Sequence, residues 1–180
     1  RYFGIEEPLN RENAEEIYRK TKARIAERHI TPRYCMKVSK VELVCTTDDP
    51  VDTLEYHRKL RAEGADGIRI LPAFRPDKAF YAEKSGFADY RTALSKAAGL
   101  PVESFRDMMD ALEKRLLVFR ELGSTISDNG IEDFTWRECG DDEAERIFGK
   151  AVAGEPLERT EIDGYRSAFL MEMGRMYRRN

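Results

Sequence analysis

The chain has 180 residues, of which 41% are hydrophobic, and its 31 basic side chains nearly balance its 34 acidic ones. This length suits one domain or part of a larger one, and the net charge of −3 gives no overall field that would concentrate a polyanion, so nucleic acid is not an expected partner. Cys35, Cys45 and Cys139 are an odd number of cysteines without C-x-x-C spacing, which argues against a disulfide framework and a cysteine zinc site and favours a reducing cytoplasm.

The first predicted element is an amphipathic helix. Apolar residues at helical spacing predict it from Asn10 to about Arg28, with Asn10 as the N-cap. A short piece, residues 31–38, follows it. Because only one face of the helix is apolar, the helix needs a partner surface.

The first predicted strand covers residues 41–46, which are rich in β-branched side chains, and it stops at the turn formed by residues 47–50. Asp52 is then expected to cap a helix that continues through Leu54 to about Glu63. Gly64 supplies the residue that ends this helix.

The second predicted strand runs from Gly67 to Leu71. Residues 72–77 follow it and contain two prolines, which predict a loop because proline can continue neither a helix nor a strand ladder. Helical patterns then cover Phe87 to Ala98 and a longer segment that begins near Phe105 and closes at Gly123.

Residues 124–127 predict a brief third strand, and two helices follow, from Asp142 to about Ala153 and from Thr160 to about Arg178. Strands that alternate with helices indicate parallel pairing through right-handed crossovers, so we expect an α/β architecture. Three strands are too few to close a barrel. Their open edge would therefore be covered by helices or by self-association into a homo-oligomer.

Polar side chains follow each predicted strand, where the loops of a parallel sheet converge. Asp48 and Asp49 could orient a substrate hydroxyl or support a cation, although such residues also form ordinary turns. Arg75 could grip a carboxylate with two hydrogen bonds, or could instead pair with Asp77 or Asp49. Asp128 could accept hydrogen bonds from a polyol, or could belong to a tight turn.

The histidines do not form a metal motif. His57 is expected to cover the surface of the helix after the first strand, and His29 lies at a helix end. With two histidines and no H-x-H or H-x-x-x-H spacing, the chain alone is not expected to build a histidine-rich catalytic metal site. No Walker A, G-x-G-x-x-G or G-x-S-x-G pattern follows a strand, which disfavours nucleotide-driven and esterase chemistry.

Membrane and export signals are not expected. No apolar run approaches the ~20 residues that cross a bilayer, and the first residues, Arg1 to Gly4, lack the apolar segment of a signal peptide. The sequence therefore predicts a soluble, cytoplasmic protein without a membrane partner. The start without methionine is compatible with trimming or with a piece of something longer.

Three segments together resemble the uronate isomerase family. They are residues 44–57 (VCTTDDPVDTLEYH), residues 70–77 (ILPAFRPD) and residues 127–132 (SDNGIE), and the likeness continues in register to Gly154-Glu155. Members of that family are (β/α)₈ barrels of the amidohydrolase superfamily that interconvert glucuronate with fructuronate and galacturonate with tagaturonate. The resemblance implies an aldose–ketose isomerisation in which acid/base groups move a proton between C1 and C2.

The resemblance also implies that this chain is a fragment of a (β/α)₈ TIM-type barrel. Residues 1–39 correspond to the end of a helical insertion, and residues 40–180 to a partial barrel resembling strands two to four with their helices. The resemblance implies a divalent metal, such as zinc, in the full-length family. The family's metal ligands come from an N-terminal H-x-H, a histidine on a later strand and a C-terminal aspartate. All three are missing from this sequence. No cofactor is therefore expected in this chain.

Residue by residue, Arg75 and Asp128 carry over as substrate-binding residues for a small sugar acid, and Asp48 and Asp49 carry over less directly. Asn129 replaces a histidine that is common in the family, so the role of that position is open. We expect the parent protein to be a uronate isomerase and the isolated chain to be inactive. The alternatives are a non-catalytic sugar-acid binding or helical assembly module, suggested by methionine-rich helix faces, and a hydrolase of the same superfamily.

Overall fold

The structure is a computed structural model that describes residues 2–64 and 67–180. The chain divides into two compact units, Arg1–Val44 and Cys45–Asn180. Arg1, at the start of the predicted segment 1–39, lies outside the described residues. The predicted correspondence of residues 1–39 and 40–180 to an insertion and a partial barrel stays a prediction.

The first unit contains α1 (Ala14–Arg28) and α2 (Pro32–Val38). The prediction that Asn10 caps the first helix was wrong. The Asn10 side-chain oxygen instead accepts the backbone N–H of Asn13 at 3.0 Å, which stabilises a turn, so the helix begins only after Asn13. Residues 31–38, unassigned from the sequence, are helical because Thr31 caps them with its side chain.

The second unit is helix-rich around a small parallel sheet of β1 (Leu43–Asp48), whose first residues lie before the unit boundary, and β2 (Arg69–Phe74). The predicted loop at residues 72–77 was partly wrong, because Pro72 lies inside β2. The third predicted strand is also reduced, since residues 124–127 pair with β2 through a single parallel bridge between Phe74 and Ser127.

Pro72 accounts for both differences. The backbone N–H of Phe74 donates to the Ile126 carbonyl, at 3.3 Å. Alternate residues of a strand direct their N–H groups to the same edge, so Pro72 faces that edge too and has no N–H to donate there. The strand tolerates the proline, but the ladder to the third segment cannot extend beyond one bridge.

The helices of this unit surround and extend the sheet. They are α3 (Glu55–Glu63), α4 (Asp77–Phe80), α5 (Phe87–Ala98), α6 (Phe105–Glu121), α7 (Asp141–Val152) and α8 (Arg159–Arg179). The predicted ranges for the last four agree to within a few residues at each end. The Asp52 cap was wrong: Asp52 accepts the Leu54 N–H at 2.8 Å and shapes the turn before α3, whose N-cap is Leu54 with a φ of 56°.

The core lies among α4 to α8 and is largely aromatic. Tyr165 of α8 is buried at its centre, with its ring edge-on to Phe105 at a centroid distance of 5.5 Å. Its hydroxyl donates to the carbonyl of Ala79 at 2.9 Å, so its polar end is satisfied. The other fully buried aromatic residues are Phe74, Phe80, Phe119, Phe148 and Phe169.

The described residues thus form part of an α/β structure, with two strands and one bridge where three strands were predicted. A closed barrel is not seen within them. Across residues 2–64 and 67–180, no helix has both the length and the apolar character that a membrane span requires.

Candidate functional site

The carboxyl ends of the three parallel segments lie next to one another. The backbone N–H of Arg75, which follows β2, donates to the carbonyl of Asp48 at the end of β1, at 3.0 Å. On the other side, the N–H of Asp128 donates to the Phe74 carbonyl at 3.0 Å. We call this edge the rim; it brings the segments of all the sequence-predicted site residues together.

Arg75 and Asp128 are the predicted residues whose side chains meet. The Arg75 Nε lies 3.5 Å from the Asp128 Oδ2 and 3.0 Å from the Asp77 Oδ2. Of the two ion-pair partners considered from the sequence, Arg75 therefore contacts Asp77. Its side chain keeps 37% of its surface exposed, so part of the guanidinium still faces solvent. Thr47 adds a hydroxyl that donates to Asp128 Oδ2 at 3.4 Å.

Gly130 ties the third segment to the second. Its backbone N–H donates to both carboxylate oxygens of Asp77, at 3.0 and 3.1 Å. A Cβ at this position would lie 2.9 Å from Asp77 Oδ2 and 3.0 Å from Arg75 Nη2, so a larger residue would have to displace these side chains. Sequence reasoning had treated Asp77 only as a possible partner of Arg75, and the Pro-Asp pair after the strand was the available signal.

Asp49 is held by neighbours instead of facing Arg75. Its Oδ1 accepts the Val51 N–H at 3.0 Å and the Tyr90 hydroxyl at 3.1 Å, and its Oδ2 lies 3.1 Å from Lys78 Nζ. Burial, and then the charge of Asp49, raise the pKa of Tyr90 well above its ordinary value, so the phenol remains a donor at neutral pH. Arg115 of α6 supports the same turn by donating to the Pro50 carbonyl at 2.7 Å.

Asp48 belongs to a buried polar cluster with Thr46 and His57. The Thr46 hydroxyl donates to Asp48 Oδ2 at 2.6 Å and lies 2.8 Å from His57 Nε2. The Asp48 side chain is only 11% exposed. A hydroxyl has one proton, so if Thr46 gives it to Asp48, then His57 Nε2 donates to Thr46. Whether Asp48 touches a substrate stays a prediction.

The prediction that His57 covers the helix surface was wrong. It is buried, with its side chain 10% exposed, because the first turn of α3 directs it at β1. The sequence spacing indicated the helix but not the face that packs on the strand. Asn129, where the family resemblance has a histidine, has a buried side-chain oxygen without a hydrogen-bond partner.

A cleft of about 590 Å³ opens beside the rim. Its lining includes Arg75, Lys78 and Lys84, together with the ring of Tyr81 and the side chain of Ile131. Lys84 Nζ lies 3.8 Å from the centre of the Tyr81 ring. The carboxylates of Asp77 and Glu132 also line it, so the wall is mixed in charge, with three cations against two anions.

The residues described do not fit a metal centre. Among residues 2–64 and 67–180, no three His, Cys, Asp or Glu side chains converge closely enough to hold an ion. His57, which could be a ligand by type, has its Nε2 beside the Thr46 hydroxyl.

A protein-family model described as glucuronate isomerase matches residues 1–180. The uronate isomerase of Lachnospira eligens is 37% identical over 177 residues, which are 98% of this chain and 38% of that protein. The uronate isomerase of Shouchella clausii is 40% identical over the same length, again covering 38% of the relative. The chain thus spans well under half the length of these relatives.

Solved structures agree with the sequence comparisons. A crystal structure of uronate isomerase from Thermotoga maritima superimposes with a TM-score of 0.87 and 34% identity, covering 98% of this chain and 39% of that one. The glucuronate isomerase from Caulobacter crescentus gives a TM-score of 0.83 at 27% identity, covering 97% and 36%. Since the family model and the relatives match almost every residue, the chain belongs to the glucuronate isomerase family.

Proposed function

We propose that this chain is a piece of a uronate isomerase that interconverts D-glucuronate with D-fructuronate and D-galacturonate with D-tagaturonate. The single observation that carries the proposal is the match of the family model to residues 1–180. The geometry of the rim supports it, because a partly exposed guanidinium and a carboxylate lie within one ligand's reach of each other.

The sugar acid is bound in this proposal through Arg75 and Asp128. The Arg75 guanidinium carries the parallel N–H donors that match a carboxylate, and its Nε lies 3.0 Å from Asp77 Oδ2. Asp128 Oδ2, already near Thr47, accepts a sugar hydroxyl. Asp48 and Asp49 shape the neighbouring part of the rim through the turn that follows β1.

The reaction needs groups beyond these residues. An aldose–ketose isomerisation moves a proton between C1 and C2, and the divalent metal expected for the full-length family, such as zinc, would polarise the carbonyl oxygen. We place its ligands outside these 180 residues, so the isolated chain is inactive in this proposal. In this proposal the full-length protein works in the cytoplasm on a free sugar acid and binds neither nucleic acid nor a membrane. Self-association into a homo-oligomer is one way to cover the open edge of the sheet.

The test is turnover by the full-length protein that includes these residues, supplied with divalent metal and glucuronate and assayed for ketose. Arg75→Met and Asp128→Asn should raise KM for the uronate by about tenfold or more, the loss expected for a charge-assisted contact. Arg106→Met is the matched control, because the Arg106 side chain is 67% exposed and pairs with its helix neighbour Asp110. A wild-type protein that binds uronates without turnover would contradict the proposal.

A further inference from the structure

A polar network joins the segment after β2 to the segment after Asp128. At its centre, the Tyr81 hydroxyl donates to the Gly130 carbonyl and accepts the backbone N–H of Glu132 at 3.2 Å. Tyr81 itself is buried, with 7% of its surface exposed. One side chain therefore holds two backbone groups of the third segment.

Arg166 of α8 fixes the ring of Tyr81 from behind. Its guanidinium is 5% exposed and lies 4.8 Å from the centre of that ring. Arg166 also donates to Glu83, two residues after Tyr81, at 2.6 Å, and to Asp133, next to Glu132, at 3.1 Å. A buried guanidinium is costly unless it is paired, so these contacts make the position of the Tyr81 ring well defined.

The network reaches the rim through Gly130. This glycine lies two residues beyond Asp128, and its N–H is held by Asp77, whose Oδ2 is 3.0 Å from Arg75 Nε. A shift of Gly130 would therefore move the Asp77 carboxylate and, with it, the guanidinium of Arg75. The hydroxyl of Tyr81 touches neither Arg75 nor Asp128, so any influence on them passes through the backbone of residues 130–132.

We propose that Tyr81 is a positioning residue of the isomerase site, whose hydroxyl clamps residues 130–132 so that Arg75 and Asp128 keep their spacing. The expected effect on substrate binding rests on the proposed function. The structural claim, that the Tyr81 hydroxyl holds residues 130–132, does not. Positioning of this kind matters because a guanidinium that is displaced from its ligand loses the paired hydrogen bonds that give it affinity for a carboxylate.

The first measurement is amide hydrogen exchange of the full-length protein with Tyr81→Phe. The ring and its contact with Arg166 remain, and only the clamp is lost, so exchange in residues 130–132 should become about tenfold faster. Ser95→Ala is the control, because it also removes a hydroxyl bond to a backbone carbonyl, that of Leu100 at 2.7 Å, but far along the chain from the rim. Unchanged exchange in Tyr81→Phe would overturn the clamp.

The second measurement is steady-state kinetics with glucuronate. Tyr81→Phe should raise KM about tenfold with kcat within about twofold, since uniform binding is lost. In an Arg75→Met background, the same change should raise KM by no more than about twofold, because the group it positions is gone. A purely structural role would give the same loss in both backgrounds and would overturn the inference, as would faster exchange with unchanged KM. Wild-type protein without turnover would contradict the proposed function. The hydrogen-exchange result would still show whether the Tyr81 hydroxyl clamps residues 130–132.

Discussion

Gly130 is the residue at which the backbone and the charged groups of the rim come closest. An added Cβ would be 2.9 Å from Asp77 Oδ2 and 3.0 Å from Arg75 Nη2, so both side chains must give way. We expect Gly130→Ala in the full-length protein to raise KM for glucuronate about tenfold, because the shift displaces the guanidinium that binds the carboxylate. Steady-state assays with and without the substitution measure this effect.

Gly149 of α7 provides the control for this substitution. A Cβ there meets nothing within 4 Å, and its place inside a helix makes alanine the better residue. Gly149→Ala should therefore leave KM unchanged and raise the free energy of unfolding by about 0.5–1 kcal/mol. A Gly130→Ala enzyme with wild-type KM would show that Arg75 tolerates the crowding and that its position is not critical.

At this scale the sequence predicted which groups lie at the rim, but not how they are arranged. Arg75 and Asp128 were predicted to lie together because residues after parallel strands converge on one edge, whereas their role in binding came from the family resemblance and stays a prediction. His57 was misjudged because helical spacing does not show that the first turn of α3 directs this side chain at Thr46 of β1. Tyr81 was not singled out, since its partners are backbone groups 49 and 51 residues away in the chain, and no local pattern records such contacts.

Among the elements, α7 and α8 are joined by Glu161. Lys150 and Arg146 of α7 donate to its carboxylate at 2.6 and 2.7 Å, and the Glu158 N–H donates at 3.0 Å. The hydrogen bonds from Lys150, Arg146 and then the Glu158 backbone lower the pKa of Glu161 from 4.5 to about 2. The ionised carboxylate is thus the form that stabilises the helix pair.

This pKa gives a pH-dependent prediction. Because the folded-state pKa is lower than the unfolded one, the stabilisation is complete above about pH 4.5 and is lost as the pH falls towards 2. Glu161→Gln should therefore unfold a few degrees earlier than wild type at pH 7, and the two proteins should converge as the pH approaches 2. Thermal unfolding followed by circular dichroism between about pH 2.5 and 7, which covers most of the interval over which the stabilisation is lost, measures the difference.

The control is Glu155→Gln, which removes the charge of an exposed glutamate just beyond α7. It should unfold like wild type at every pH. A difference between wild type and Glu161→Gln that stays constant down to pH 2.5 or so would mean that packing, and not the ionised carboxylate, accounts for the loss.

The elements themselves were predictable to different degrees. The four C-terminal helices have long apolar periodicities, with a glycine after several of them, so local pattern was enough to locate α5 to α8. The strands were less accurate, because their ends depend on pairing. Whether Pro72 interrupts β2 is decided by the edge to which its missing N–H would point, and only the paired structure shows that edge.

For the whole molecule, the decisive quantity is the share of a full-length relative that the chain covers. It covers 38% of the Lachnospira eligens relative, yet the rim segments lie side by side within it. The core of α4 to α8 does not depend on residues outside the chain for its main contacts, since Tyr165, Phe169 and Phe80 pack on one another. An assembled rim and a complete reaction site are therefore separable properties.

The separation predicts that the purified 180-residue chain, given zinc or another divalent metal and glucuronate, forms no ketose. The chain has only two histidines, and His57 is occupied with Thr46, so the carbonyl-polarising ion has no histidine-rich site here. The full-length protein under the same conditions is the control: it should turn over, lose activity to a chelator and regain it with added metal. Ketose production by the isolated chain, proportional to its concentration and abolished in Arg75→Met, would show that these residues carry the complete reaction and would overturn their assignment as one part of the site.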